Sequence, residues 1–315
     1  MGGFDGLNIF DKEAANMTDV AIFRDRSNFG ESGRFESTTA SFRKAISILS
    51  EKSEADMQIL TLPGIRHRSV VDHAIESCED KNDVLFVGDI ELYDESAQYI
   101  TASTQEPHVP QIIKKFAGRG IQSSFSAFYY PDVFIDFDPD GATPPIKVPA
   151  STAALGAIAK TDHIAGQAAA PMGYTRGAIL DGIDSEMGFL ISDRDNLIAN
   201  NINPIGGDPA GISDGVLPII SQKTALNAGS VLDRVNVRRV MIAIRRQIRN
   251  LARNILFSPL NVKTTELFKN QMDDFLNGLV ANQQIEDFKI VMSPKYRADA
   301  STDAKNNILV NRDRF

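Results

Sequence analysis

Short apolar runs alternate with amphipathic segments over the first third of the chain. Runs at 20–23, 57–63 and 84–87 predict strands, and the segments between them predict helices because apolar residues recur at three- and four-residue spacing. The expected apolar faces comprise Phe42, Ala45, Ile46 and Leu49 in the first helix and Val70, Val71, Ala74, Ile75 and Cys78 in the second. This alternation predicts an α/β fold in which mixed sheets are flanked by helices.

The middle of the chain changes character twice. Residues 125–137 are strand-like and aromatic, and Pro131 confines this strand to a sheet edge or a bend because proline donates no backbone hydrogen bond. Pro, Gly, Ala, Ser and Thr then dominate residues 139–171, which predicts an extended connection and a domain boundary near residue 180. The domains expected from this division are an N-terminal arm at 1–18, an α/β domain at 19–180 and a C-terminal domain at 181–315.

The last third of the chain has the clearest periodicity. It predicts a short helix at 193–201, a strand at 216–220, a long helix from Asn236, a further helix capped by Thr264 and a strand at 288–293. The apolar face expected for the helix from Thr264 comprises Leu267, Phe268, Met272, Phe275, Leu276 and Leu279.

The long helix has three distinct faces when its residues are placed at about 100° each. The face predicted to be buried comprises Val237, Val240, Met241, Ile244, Ile248, Leu251, Ala252 and Ile255. A neighbouring basic arc collects Arg238, Arg239, Arg245, Arg246, Arg249 and Arg253. Ile242 falls in the middle of this basic arc, and the third face is polar and uncharged.

The basic arc lacks compensating acids within its own helix. No acidic residue occurs from Arg234 to Asn254, and like-charged pairs such as Arg245 with Arg249 each cost about 0.2–0.5 kcal/mol. Two interpretations follow: acids elsewhere in the chain pair with these arginines, or the helix is an interface for an acidic partner protein. Ile242 favours the interface, because an apolar contact among charges is typical of binding surfaces.

Composition narrows the classes of partner. The net charge of -8 argues against nucleic acid as a partner. Because Cys78 is the single cysteine, no disulfide can form within the chain, and this composition fits a reducing cytoplasm. Cys78 lies on the apolar stripe of its predicted helix, so we expect it to pack in the core. The acidic N-terminus does not fit a secretory signal, and no run reaches the roughly 18 apolar residues of a membrane helix, so a soluble protein is expected.

A hydrolase is the alternative to an interaction protein. Ser213 stands in a G-x-S-x-G pattern, which in hydrolases presents a serine nucleophile between a strand and a helix. Here a Gly- and Pro-containing loop precedes the pattern, a predicted strand follows it, and all four histidines come before Ser213 instead of after it. A loop is therefore the better interpretation.

Metal sites are also disfavoured. Residues 136–141 open like a calcium loop, but the twelfth position, a glutamate in such loops, is Lys147. His67 and His73 do not share a helix face, and no cysteine or acidic cluster completes a site around them. We therefore expect an acidic turn and structural histidines, with no metal, cofactor or catalytic residue.

A series of sequence blocks follows a family-like order after residue 120. The blocks are SAFYYPDV at 126–133, VPASTAALGAIAKTDHIAG at 148–166, NLIANNINPI at 196–205, LDRVNVRRVMIAIRRQI at 232–248 and LFSPLN at 256–261. In order and spacing they resemble the contractile tail sheath proteins of bacteriophages and related injection machines. The most family-like short string is Asn236–Arg239.

This resemblance implies a structural subunit with a two-part α/β core. Six such subunits would form each ring, and terminal arms would link stacked rings by adding strands to neighbouring sheets. The sheath would contract around an inner tube and drive it through a target cell envelope, which in a phage leads to genome ejection. The implied partners are further copies of the chain, the tube protein, and baseplate and tail terminator proteins, in a virion tail assembled in the bacterial cytoplasm.

The resemblance also implies which surface faces the tube. The C-terminal domain would lie against the tube, with the helix from Asn236 nearest to it. The tube-interface candidates are Arg238, Arg239, Ile242, Arg245, Arg246, Arg249 and Arg253.

Overall fold

The computed structural model describes most of the chain between residues 37 and 291, with a few residues beyond. The described ranges are 19, 21–23, 37–50, 56–92, 109–136, 144–179, 181–188, 190–206, 216–259, 262–291 and 309–310. The helices are α1 (Ser37–Ser50), α2 (Arg68–Lys81), α3 (Val109–Gly118), α4 (Ala150–Ala165), α5 (Gly173–Arg176), α6 (Ile191–Ala199), α7 (Val235–Arg253) and α8 (Val262–Ala281). The strands are β1 (Ile59–Thr61), β2 (Leu85–Asp89), β3 (Ser126–Tyr130), β4 (Val133–Ile135), β5 (Ile146–Val148), β6 (Gly177–Ile179), β7 (Gly182–Ser185), β8 (Ile202–Pro204), β9 (Leu217–Ile219), β10 (Ile290–Val291) and β11 (Leu309–Val310).

A parallel sheet with the strand order β1-β2-β3-β8 forms the centre of the fold. Successive side chains of a strand point to opposite faces, so Phe86 of β2 packs on one side and Leu85 and Val87 on the other. The first side is covered by α2 and α3, and the second by α4 and α7. Burial of both faces explains the continuous apolar run in β2, and the predicted α/β fold is confirmed.

Antiparallel strands continue the fold beyond the carboxyl edge of this sheet. The chain bends at Pro131 between β3 and β4, and β4 pairs with both β5 and β7. Because β7 pairs with β4 and β8 pairs with β3, strands on both sides of residue 180 share sheets. The division into an α/β domain at 19–180 and a tube-facing C-terminal domain at 181–315 stays a prediction, and the predicted arm at 1–18 lies outside the described residues.

The strands predicted at 57–63 and 84–87 are confirmed as β1 and β2. In α2 the buried residues coincide with the predicted apolar face. The prediction for 20–23 is wrong, because residues 21–23 are helical. A run this short does not by itself distinguish a strand from a buried helical turn, and Ile22 satisfies its hydrophobicity in the core on the α2 side of the sheet.

The face predicted for α1 is confirmed in part. Ile46 is buried and Phe42 packs against the core, whereas Ala45 and Leu49 are exposed. The helix therefore meets the rest of the protein along a narrower stripe than its sequence pattern suggests.

The extended connection predicted at 139–171 is wrong for its central part, which forms α4. Alanine is the strongest helix former, and small residues allow the helix to pack closely on the sheet. Carboxylates from two strand ends bind its first turn: Asp89 accepts a hydrogen bond from Ser151 N at 2.6 Å, and Asp132 accepts one from Ala150 N at 3.2 Å. These partners are distant in sequence, so composition alone concealed the helix.

The C-terminal elements follow the predicted order. The predicted helix at 193–201 corresponds to α6, and the strand at 216–220 corresponds to β9. Because α8 begins at Val262, Thr264 lies inside the helix and does not cap it. Leu267 is exposed, in contrast to the prediction, while the helix buries Phe268, Met272 and Leu276.

Candidate assembly interface

The basic helix α7 lies across the amino edge of the parallel sheet. The guanidinium carbon of Arg238 lies 4.1 Å from the ring centroid of Phe125, immediately before β3. Arg246 donates a hydrogen bond to the carbonyl oxygen of Met57, before β1, at 2.5 Å. Arg249 donates to Asp83, before β2, at 2.9 Å. Three arginines therefore bind α7 to the starts of three neighbouring strands.

Two stripes of α7 are buried, where the sequence predicts one. Val240 and Ile244 form a cluster with α8, in agreement with the predicted arc. Val235 and Ile242, seven residues apart, form a second stripe that packs against α4 and the sheet. The other members of the predicted arc are only half-buried. A helix held between two neighbours buries more than one stripe, which a single helical projection does not anticipate.

The proposed role of Ile242 as an exposed contact is therefore wrong. Its side chain is 3% exposed and belongs to the core between α4, α7 and the sheet. The observation that favoured an external partner is explained instead by internal packing.

Arg239 is also an internal residue. It is buried, and its guanidinium donates two hydrogen bonds to the carboxylate of Asp162 in α4, one of them at 2.8 Å. A guanidinium that binds both oxygens of one carboxylate is held in a fixed orientation in addition to being attracted by the opposite charge. This pair joins α7 to α4 and leaves Arg239 unable to reach a partner surface.

Two further arginines form ion pairs within the fold. Arg246 pairs with Asp56, and Arg249 pairs with the buried carboxylate of Asp83. Burial lowers the pKa of Arg249, and the nearby charge of Arg253 lowers it further. Acids in α4 and before two strands therefore pair with three of the six arginines of the basic arc, which supports the first of the two interpretations drawn from the sequence.

Two arginines of the arc remain open to solvent. The side chain of Arg245 is 54% exposed and lies 3.7 Å from Asp83, which also binds Arg249. Arg253 is exposed and makes no ion pair with any described residue. It lines a polar pocket together with Lys81, Arg246 and Arg249. The basic surface available to an acidic partner is therefore smaller than the sequence predicts, because it contains two solvent-exposed arginines instead of six.

Two large apolar residues directly after α7 have side chains that are exposed to solvent. Phe257 is 100% exposed and Leu256 is 62% exposed, in the turn that follows the helix. The sequence places both in an apolar block but gives no signal that their side chains are uncovered. Exposure on this scale is typical of surfaces that are covered in an assembly.

A buried network of charged side chains around Arg66 is not predicted by the sequence. Arg66 donates to both carboxylate oxygens of Asp132 at 2.6 Å, and Asp19 accepts from the backbone N–H groups of Arg66 and His67. Burial alone would lower the pKa of Arg66, but Asp132 and Asp89 raise it overall. Partners 47 and 66 residues apart leave no trace in sequence periodicity.

The enzymatic and metal alternatives gain no support from the described residues. Ser213 and most of the acidic turn, at 137–143, lie outside them. Where the structure is described, no cluster of His, Cys, Asp and Glu could hold a metal ion, and no helix is long and apolar enough to span a membrane. Burial raises the pKa of the Cys78 thiol to about 12, which agrees with a packing role.

Two curated proteins match part of the sequence, although no protein-family model does. The tail sheath protein of Enterobacteria phage T4 is 31% identical over 144 residues, which are 46% of this chain and 21% of that protein. The tail sheath protein of Vibrio phage KVP40 is 28% identical over 144 residues, with the same coverage of 46% and 21%. The matched part is thus about one fifth of each relative's length.

Solved structures share the fold over most of the chain. The cryo-EM structure of the anti-feeding prophage baseplate has a chain with a TM-score of 0.64 and 18% identity, covering 95% of this chain and 77% of its own. The contracted PVC sheath complex of an extracellular contractile injection system gives a TM-score of 0.64 and 19% identity, covering 87% and 69%. The chain is thus similar in sequence, over 144 residues, to two phage tail sheath proteins, and it shares its fold with chains of contractile injection systems.

Proposed function

We propose that the chain is a structural subunit of a contractile sheath. Six copies form each ring, rings stack helically around an inner tube, and contraction drives the tube through a target cell envelope. The observation that carries this proposal is the sequence match to two phage tail sheath proteins over 144 residues. The fold shared with a contracted injection-system sheath supports it. The ends of such a sheath contact a baseplate and a terminator protein, and its place is the virion tail.

Electron microscopy of the purified chain tests the proposal directly. At high protein concentration we expect rings with sixfold symmetry or helical tubes, because a subunit of a closed ring carries complementary surfaces for its neighbours. A strictly monomeric particle at the same concentration would contradict the proposal.

We also propose that Arg245 is the main tube-facing residue of α7. It keeps its guanidinium half in solvent, whereas Arg239, Arg246 and Arg249 bind acids of the same chain. A partner with acidic surface loops would find a half-exposed cation at this point, held only by a long contact to a carboxylate that Arg249 also binds. Arg239, Arg246 and Arg249 act mainly by holding α7 in place.

Reversal of this charge is expected to weaken docking on the tube without unfolding the subunit. Arg245→Glu should reduce co-sedimentation with tubes isolated from the same particle by roughly tenfold, since exposed interface charges mainly affect encounter and salt dependence. Thermal unfolding should remain close to that of the unmodified chain. Lys263→Glu, an exposed reversal on α8, is the matched control and should leave docking unchanged. Equal docking by Arg245→Glu would exclude Arg245 from the interface.

A further inference from the structure

Two surface patches of opposite charge carry large exposed apolar side chains. The basic patch consists of Arg253, Leu256 and Phe257 at the end of α7. The acidic patch consists of Leu190, Ile191 and Asp195 at the start of α6. Each patch combines a pair of uncovered apolar groups with a single charge, and these charges have opposite signs.

The basic patch lies at the amino edge of the parallel sheet. Arg249, one turn before Arg253, binds Asp83 just before β2, and Arg253 lines the same pocket as Asp83. Leu256 and Phe257 follow within the next turn. Their exposed fractions of 62% and 100% show that no described part of the chain covers them.

The acidic patch lies toward the opposite, carboxyl edge. The chain reaches α6 from β7, which pairs with β4, and Glu186 N donates to the carbonyl oxygen of Asp132 just after β3. The helix then runs back to the amino edge, where β8 begins beside β3. Since α6 is about 13 Å long at 1.5 Å per residue, its first turn is displaced toward the carboxyl edge by that length.

Within the acidic patch, the apolar and charged groups share one side of the helix. Ile191 and Asp195 are four residues apart, and residues at this spacing are neighbours on a helix surface. Leu190, immediately before α6, is 68% exposed. Asp195 is exposed, and its one ion pair with a described residue is a 3.7 Å contact with Arg194, so it can accept a second cation.

We propose that the basic patch of one subunit docks on the acidic patch of a second copy of this chain. Phe257 and Leu256 would cover Leu190 and Ile191, and Arg253 would pair with Asp195. Because the two patches differ and lie at opposite edges of the sheet, the contact is head-to-tail and generates a ring or an open helix. It assigns Arg253 to the contact between subunits and leaves Arg245, about 12 Å away along α7, to the tube.

The test uses two full-length variants that each lack one patch. Leu256→Ser with Phe257→Ser removes the basic patch, and Leu190→Ser with Ile191→Ser removes the acidic patch. Sedimentation velocity over a concentration series should show self-association of the unmodified chain and at least about 30-fold weaker self-association of either variant, as expected for central aromatic and aliphatic contacts. An equimolar mixture of the two variants should form a 1:1 dimer that grows no further, because it has one intact contact and no second one.

Controls separate this contact from effects on folding. Ile164→Ser changes a side chain with an exposed fraction of 64%, near the other end of α7 and about 25 Å from the basic patch, and should leave self-association unchanged. All variants should keep the circular dichroism and the unfolding midpoint of the unmodified chain, because the substituted residues are exposed.

The inference rests on the proposed self-assembly but can fail separately from it. If either variant self-associates like the unmodified chain, or if the mixture yields no dimer, the docking of these two patches is wrong. The sheath function would survive that outcome if rings or tubes still form in electron micrographs. A monomeric unmodified chain would overturn both.

Discussion

Replacement of Asp132 by alanine is expected to lower the free energy of unfolding by about 3–5 kcal/mol. Asp132 is the carboxylate that binds the buried guanidinium of Arg66, with both of its oxygens 2.6 Å from Nη2. Its removal leaves a positive charge inside the protein without its main partner, and it also removes the acceptor for Ala150 N in the first turn of α4. Urea unfolding followed by circular dichroism measures the difference.

Two comparisons make this result specific. Asp195→Ala removes an exposed carboxylate with a long ion pair and should change stability by less than about 0.5 kcal/mol. The double variant Arg66→Met with Asp132→Leu removes both charges and should recover part of the loss, because apolar groups of similar volume can replace a buried ion pair. Recovery is incomplete because Asp19 and Asp89 lose the nearby charge of Arg66. A loss below about 1 kcal/mol for Asp132→Ala would show that this pair does not hold the fold together.

The stability of the protein is also expected to rise as the pH falls from 7 to 5. Burial raises the pKa of Asp19 from its ordinary value of 3.8 to about 6, despite hydrogen bonds from the N–H groups of Arg66 and His67. A carboxyl whose pKa is raised in the folded state binds its proton more tightly there than in the unfolded chain. Its stabilising contribution is therefore complete below pH 3.8 and is lost as the pH rises through about 6.

The effect can be isolated with one conservative substitution. Across the interval from pH 7 to pH 5, Asp19 should contribute about 1 kcal/mol to the free energy of unfolding. Asp19→Asn keeps an acceptor for one backbone N–H group and cannot titrate, so its stability should vary less with pH by that amount. Identical pH dependence of the two proteins, or a steeper rise in the variant, would contradict the assignment of this proton to Asp19.

In the basic helix α7, the pattern of charges in the sequence locates the arginines but does not identify their partners. The sequence places six arginines on one side of α7 without a neighbouring acid, and the position of Ile242 among them favoured an external partner over internal ones. The structure places Asp56, Asp83 and Asp162 against that side. These acids belong to other elements, so their contribution depends on how α4 and the strands pack against α7. Most of the basic arc is consequently part of the fold.

Local patterns were sufficient where an element carries its own signal. The buried face of α2, the continuous apolar run of β2 and the long amphipathic α7 are all visible in the sequence, because hydrophobic periodicity follows directly from helix and strand geometry. The ordered blocks after residue 120 also carry a resemblance to sheath proteins that needs no tertiary information. In these segments the local preference and the tertiary environment agree.

Other features were decided by contacts between distant parts of the chain. The helix α4 depends on carboxylates supplied by β2 and by the bend after β3, and composition alone suggested an extended segment. Ile242 became a core residue because α7 is packed on two sides. Leu256 and Phe257, in the turn after α7, are not covered by the described residues. The sequence by itself thus determined the elements that carry their own periodicity and the resemblance to sheath proteins. Only the tertiary structure decided which charges are paired and which apolar groups remain exposed, because pairing and exposure depend on distances between residues that the chain order does not specify.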